Sequence, residues 1–175
     1  METPNLVTER LKLRSIMTDD IDFIYELFKR SETNKYSEHP DLKTPDEAKE
    51  MYESYLKPGF DTHFRVIIEN KETRTPMGTI GLYKYTSAHK RAEIGYDLMS
   101  EYWGNGYITE SIRAIINYGF TDLGLIRIEA TVDPDNSRSI RVLERTGFKH
   151  EGTLLKRYYY SESFHDELVF GLIKE

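Results

Sequence analysis

Two glycines around an asparagine, Gly104-Asn105-Gly106, stand directly before a run that reads as helix, and this pairing is the chain's most informative chemistry. A helix N-terminus offers unpaired backbone N–H groups and a partial positive charge to an anion. Glycine brings the backbone close to a diphosphate and adopts turn dihedrals closed to other residues. Competing phosphate motifs fail on spacing: a dinucleotide fingerprint needs a third glycine where Thr109 stands, and a P-loop needs Gly-Lys followed by Ser or Thr. Taken alone, a Gly-x-Gly pattern is more often an ordinary loop.

Other groups carry weaker signals. Tyr83-x-Tyr85 and Tyr158-Tyr159-Tyr160 are aromatic sets at strand spacing, of which one member each could line a cleft, although aromatics favour strands in any case. The five histidines, at 39, 63, 89, 150 and 165, show no metal-ligand spacing, so no metal site is expected. With no cysteine there is no disulfide, no thiolate metal site and no cysteine nucleophile, and direct group transfer becomes the simpler mechanism. A formal charge of −6, from 24 basic and 30 acidic side chains, argues against a broad nucleic-acid footprint and weakly favours a cationic substrate. No apolar run reaches the length of a membrane span and the N-terminus lacks a secretory pattern, so the expected location is the cytoplasm, with no membrane partner.

The elements that position these residues follow from periodicity. At 175 residues, 38% of them hydrophobic, the chain predicts a single α/β domain over residues 1–175. Leu11 to Arg14 alternates as a half-buried strand. Thr18-Asp19-Asp20 offers N-cap chemistry to a helix with Ile21, Ile24, Tyr25 and Phe28 on one face. Thr44-Pro45-Asp46-Glu47 is a capping box opening a second helix through Ala48, Met51, Tyr52 and Tyr55. Phe64–Ile68, Gly78–Tyr85 and Ala92–Leu98 read as three strands of an antiparallel meander. Ile112, Ile115, Ile116 and Phe120 then stripe a helix ending near Gly124. Ile126, Ile128, Ala130 and Val132 make a further strand, Ser139 to Arg145 a short helix, and 153–160 with 167–173 a closing hairpin.

The segment Ile94 to Glu110, taken with Asn136 to Phe148, resembles the Gcn5-related N-acetyltransferase superfamily and most closely its ribosomal-protein N-terminal acetyltransferase-like branch. In that branch the turn reads approximately Tyr-Trp-Gly-x-Gly-Tyr-x-Thr-Glu, as Tyr102 through Glu110 do here, and the second signature matches Asn136 to Phe148 almost position for position. Weaker resemblance runs from Thr8-Glu9-Arg10-Leu11 to the last strands. The resemblance implies a mostly antiparallel, splayed sheet of about seven strands flanked by about four helices, with acetyl-CoA bound where two parallel strands part. Asp97, Leu98 and Met99 would pair with the pantetheine arm. Trp103, Gly104, Asn105, Gly106, Tyr107, Ile108 and Thr109 would hold the pyrophosphate, and Asn136 and Ser139 would reach the pantetheine and thiol end. His165 and Asp166 fall in the hairpin segment that approaches the acceptor in this branch, beside which Tyr83 and Tyr85 could line the cleft.

The wider superfamily usually carries Arg or Gln at the place of Trp103, Gly or Ala at that of Ile108, and often Tyr at that of Leu143, where it protonates the departing thiolate. Leu143 cannot do so, and Ser139, one turn earlier, is the candidate acid or the group that orients a water for the same work, unless it merely begins its helix. Glu93, on the strand beside the thioester, is the candidate base, with a salt bridge to Arg91 or Lys90 as the competing assignment. The demand for a base depends on the amine: at about pH 7.2 roughly a fifth of an α-amine but only about 0.1% of a lysine amine is neutral. The expected acceptor is a protein N-terminal α-amine, ahead of a polyamine or a small amino compound. A coenzyme A-binding sensor without catalysis is the alternative of another class. The oligomeric state is open, with a homodimer among the candidates.

Overall fold

The computed structural model describes residues 3–36, 41–56, 64–160 and 162–175. His39 and His63 lie outside them. Eight strands form one sheet in the order β1-β2-β3-β4-β5-β6-β8-β7. β1 (Leu6–Val7), β2 (Leu11–Ser15), β3 (Phe64–Asn70), β4 (Pro76–Thr86) and β5 (Arg91–Leu98) run antiparallel, each to the next. β6 (Arg127–Val132) joins β5 in parallel, and the hairpin of β7 (Lys149–Tyr160) and β8 (Ser163–Ile173) adds antiparallel, β8 inside and β7 at the edge. The two-residue β1, too short to show a period, is what the sequence does not announce.

Alternation along the strands splits the interior in two. Val66, Ile68, Ile80, Leu82, Ile94 and Leu98 point to one face, where Ile112 and Ile115 of α4 (Tyr107–Thr121) and Leu143 of α5 (Ser137–Arg145) cover them. Ile67 and Met99 point the other way, into a second cluster with Ile24, Leu27 and Phe28 of α1 (Ile21–Phe28) and Ala48 of the helix Pro45–Leu56. This helix is α3, because Ser31–Asn34 forms a short α2 that lacks any apolar period. Burying each large aliphatic side chain contributes about 1.5–3 kcal/mol, so both layers hold the sheet firmly.

Local chemistry explains the boundaries. The Thr44 hydroxyl accepts from the Glu47 N–H at 3.3 Å, while the Glu47 carboxylate reaches the Lys43 N–H at 2.6 Å, one residue earlier than a capping box requires. Asp20 stands at the N-cap of α1, but its side chain makes no capping bond there; it closes a 3-10 turn over Thr18–Asp20, accepting from the Met17 N–H at 2.7 Å and from both outer nitrogens of Arg14. Ile126 lies outside β6 and is half exposed, against the expected alternation, because its N–H and C=O serve the turns to Lys90 and Lys174 instead.

Candidate active site

β5 and β6 are the sheet's one parallel pair among the described residues, and their register covers only Arg91↔Arg127, Ala92↔Ile128 and Glu93↔Glu129. Beyond Glu93 the two strands part. β4 still holds β5 as far as Leu98, and β8 holds β6 as far as Val132, so a wedge opens between Ile94–Leu98 and Ala130–Val132.

Antiparallel ladders alternate between residues that bond across and residues that face away. Met99 donates its N–H to the Met77 carbonyl at 2.9 Å, which fixes the phase: Asp97 bonds toward β4, while Tyr96 and Leu98 turn their backbone groups into the wedge. This corrects the expectation for Asp97 and Met99, whose backbones belong to the β4 side. Leu98 faces the wedge, and its carbonyl already accepts from Trp103 Nε1 at 2.8 Å. The Asp97 carboxylate pairs with Arg65 on the opposite face of the sheet.

Gly104 and Gly106 have φ of 78° and 81°, and Gly106 caps α4. The amide of Asn105 donates to the carbonyls of Tyr102 (3.2 Å) and Trp103 (3.1 Å), closing the turn on itself. Arg138 lies over the Trp103 ring at 4.3 Å. Tyr107 stands edge-on to Tyr102, and Ile108 packs against the main core. Thr109 lines an open groove of about 950 Å³ with Thr8, Arg10, Gly106 and Arg113.

On the far side of the wedge, α5 begins at Ser137, so Ser139 does not begin the helix. Asn136 is the N-cap, its side chain accepting from the Ser139 N–H at 3.2 Å. That leaves the Ser139 hydroxyl free of capping duty, and it sits beside the phenol of Tyr96. Burial pushes the Tyr96 phenol up to about 12, against the pull of the Ser139 hydroxyl, so it stays protonated at neutral pH. Leu143 is 1% exposed and belongs to the core.

The face of the sheet opposite α4 carries the polar groups. Tyr83 and Glu93 are register partners, and the Tyr83 ring lies so close over Gly95 that a Cβ there would stand 2.8 Å from it. Burial first, and then the Glu93 charge, raise the Tyr83 phenol far above its ordinary range. Glu93 is paired, though not with Arg91 or Lys90: Lys84 reaches it at 3.0 Å, and Arg91 pairs with Glu129 at 2.7 Å. The Glu93 side chain is 12% exposed and the lysine 59%. Tyr85 leaves this face, because Lys84 takes a left-handed φ of 50° and the ladder shifts, which sends Tyr85 against the main core.

His165 and Asp166 lie where the end of β6 meets the last hairpin. Together with Asp133, Pro134, Asp135 and Phe164 they line a pocket of about 240 Å³. His165 stacks on Tyr158, and Asp166 accepts from the Lys156 N–H at 2.8 Å, where β7 bulges. Residues that spacing does not single out are Tyr96, Glu129, Lys84, Arg65 and Arg10. The alternation of Arg127 and Glu129 around Ile128 carries the signal for Glu129; the others depend on contacts between distant segments.

Similarity to known proteins agrees with this geometry. Residues 10–149 match the Acetyltransferase (GNAT) domain family. The uncharacterized N-acetyltransferase YoaA of Bacillus subtilis is 35% identical over 172 residues, which is 98% of this chain and 97% of that protein. Spermidine N(1)-acetyltransferase of Escherichia coli is 23% identical over 158 residues, 90% of this chain and 83% of that one. A GNAT-family acetyltransferase structure from Bacillus anthracis superposes with a TM-score of 0.87 at 25% identity, over 97% of this chain and 98% of the other. Spermidine N-acetyltransferase from Vibrio cholerae, solved with CoA and spermine, shares the fold with a TM-score of 0.84 at 23% identity, over 95% and 96% of the chains. The chain belongs to the GNAT acetyltransferase family and is an N-acetyltransferase that uses acetyl-CoA.

Proposed function

We propose that the chain transfers acetyl directly from acetyl-CoA to a primary amine, with a protein N-terminal α-amine of the ribosomal-protein type as its acceptor. The observation that carries this reading is the juxtaposition, at the point where β5 and β6 part, of the nearly enclosed Glu93 carboxylate on one face and the Tyr96 and Ser139 hydroxyls on the other. The residues present fit coenzyme A. At Gly104 no atom lies within 4 Å of where a Cβ would stand, the turn ends at the N-terminus of a 15-residue helix, and Tyr96 and Leu98 offer strand groups to an extended arm.

Bound acetyl-CoA supplies a thioester as electrophile and a thiol as leaving group. Tyr96 and Leu98 hold the arm along β5. Glu93 accepts the proton lost by the attacking nitrogen, directly or through a water, and Lys84 pairs with its carboxylate at 3.0 Å. Ser139, or a water that it orients, passes a proton to the leaving sulfur, and the hydroxyl takes its proton back from solvent. Acceptor and cofactor meet across the wedge from opposite faces, so no acyl-enzyme is needed.

Ser139→Ala should therefore lower kcat roughly 10- to 100-fold while the KM for acetyl-CoA stays close to wild type. A wild-type kcat in that variant would transfer the acid role to Tyr96 or a water. The acceptor is tested by following thiol release with a panel of peptides bearing free or blocked N-termini. Turnover that ignores the block would sink the α-amine assignment. A polyamine acceptor is the second reading, favoured by Glu93 and Glu167, whose charges act on Tyr83, and by Glu129, the register partner of Glu93 on β6. Spermidine preferred over every peptide by kcat/KM would establish it.

A further inference from the structure

The cofactor turn is gripped from outside by a segment 95 to 102 residues away in sequence. Arg10, in the turn between β1 and β2, donates from Nη1 to the Asn105 carbonyl at 3.0 Å and from Nε to Glu110 Oε2 at 2.8 Å. Its backbone N–H reaches Glu110 Oε1 at 2.9 Å, the Thr8 hydroxyl donates to the same oxygen at 2.6 Å, and its guanidinium covers the Tyr107 ring at 4.6 Å. Its remaining nitrogen, Nη2, lies beside Gly106, 3.5 Å from where a Cβ would stand. One of these contacts thus reaches the turn itself, at Asn105, and four reach the first turn of α4 directly behind it, adding to the bonds by which the Asn105 amide closes the turn.

Charge gives the arrangement a second meaning. Glu110 stands in the first turn of α4, where a carboxylate satisfies the helix dipole but repels any anion arriving at the same N–H groups. Burial alone would raise this carboxyl; the Thr8 hydroxyl, the Arg10 N–H and the Arg10 guanidinium outweigh it and hold Glu110 below its ordinary value, ionised at neutral pH. Arg10 is the cation that neutralises it, and 43% exposure leaves the guanidinium open to the groove.

We propose that Arg10 is a positioning residue for the cofactor: it locks the turn Trp103–Gly106 in its anion-receiving form and cancels the Glu110 charge that would oppose a diphosphate. The proposal rests on the reading of this turn as the coenzyme A pyrophosphate site. Rigidifying a binding loop in its bound form raises affinity by removing the ordering cost, so the effect belongs to binding and not to the chemical step.

Calorimetric titration of the full chain with CoA, alongside acetyl-transfer kinetics, tests it. Arg10→Ala should raise the Kd for CoA and the KM for acetyl-CoA about tenfold or more, with kcat at saturating acetyl-CoA within about twofold of wild type. The double variant Arg10→Ala/Glu110→Gln should recover part of the loss, because the unscreened carboxylate is gone. A merely structural role would instead lower the active fraction and leave Kd unchanged. Should Arg10→Ala not fold, Arg10→Lys decides: it keeps the charge but loses the fork, and a Kd raised about threefold is expected. Wild-type affinity in Arg10→Ala or Arg10→Lys, or a double variant as weak as the single one, overturns the clasp. Failure of the wild type itself to bind CoA overturns the site reading instead, so the two failures are distinct.

Discussion

Glu93→Gln is expected to lower kcat about 100-fold with a lysine-type amine and much less with a peptide α-amine, while the KM for acetyl-CoA stays unchanged. The difference follows from the acceptor. An α-amine is already partly neutral at physiological pH and needs its proton removed only as the new bond forms, whereas a more basic amine must first lose one. Glutamine keeps the size and the hydrogen-bonding reach of the side chain but cannot take a proton, so the packing against Tyr83 and the Glu129 register survive. Lys84 sits on an exposed arm, and Lys84→Met should cost less than Glu93→Gln because solvent replaces most of that ion pair. Steady-state kinetics with paired α- and ε-amine substrates read the result. Equal kcat for wild type and Glu93→Gln across the pH range, on both amines, removes Glu93 from the mechanism.

The second large effect concerns stability. Gly81→Ala should destabilise the fold by on the order of 3 kcal/mol or more, read as a fall in the midpoint of chemical denaturation. A Cβ at Gly81 would stand 2.1 Å from the Phe64 carbonyl and 2.9 Å from the Arg65 Cα, both backbone atoms of β3 that no rotamer change can move. Gly81 lies opposite Gly95, which the Tyr83 ring covers, so the shift needed to admit the methyl group also disturbs the strand that lines the wedge. Gly104→Ala offers the contrast: space is open there, and only the left-handed backbone is penalised, at about 1 kcal/mol. A Gly81→Ala midpoint equal to that of the Gly104 variant would mean that β3 and β4 separate more easily than their contacts indicate.

Much of the framework is legible because it is local. The stripe of Ile112, Ile115 and Ile116 reports α4 from spacing alone, and the alternation of Ala92, Ile94 and Leu98 reports β5, since each pattern is written by one element burying one face. Gly104-Asn105-Gly106 is legible for the same reason, as dihedral demands fall on the residues themselves. What escapes depends on two segments meeting. The sequence around Lys84 contains no glycine to mark the bulge that separates Tyr83 from Tyr85, and a lysine at φ 50° is tolerated only because the surrounding ladder enforces it. Tyr96 reads as one more alternating aromatic until α5 brings Ser139 beside it. Asp97 reads as a cofactor contact, although the phase of a ladder, which decides whether a backbone faces its neighbour or the wedge, is set by the partner strand. Resemblance alone singles out His165 and Asp166; their partners on β7 and at Asp133 appear only once the hairpin meets the end of β6.

The ends of the sheet bear on what happens when many copies of this chain are crowded together. A flat, regular edge would offer a row of unmatched N–H and C=O groups to any neighbouring chain. Here β1 offers two residues, and β7 breaks its register twice, turns Lys156 into a left-handed conformation and carries Lys149, Lys156 and Arg157 along its length. Short length at one border, and bulges with basic side chains at the other, are features that discourage edge-to-edge pairing, so the same irregularities that spoil a simple reading of the last hairpin also work against growth into fibrils.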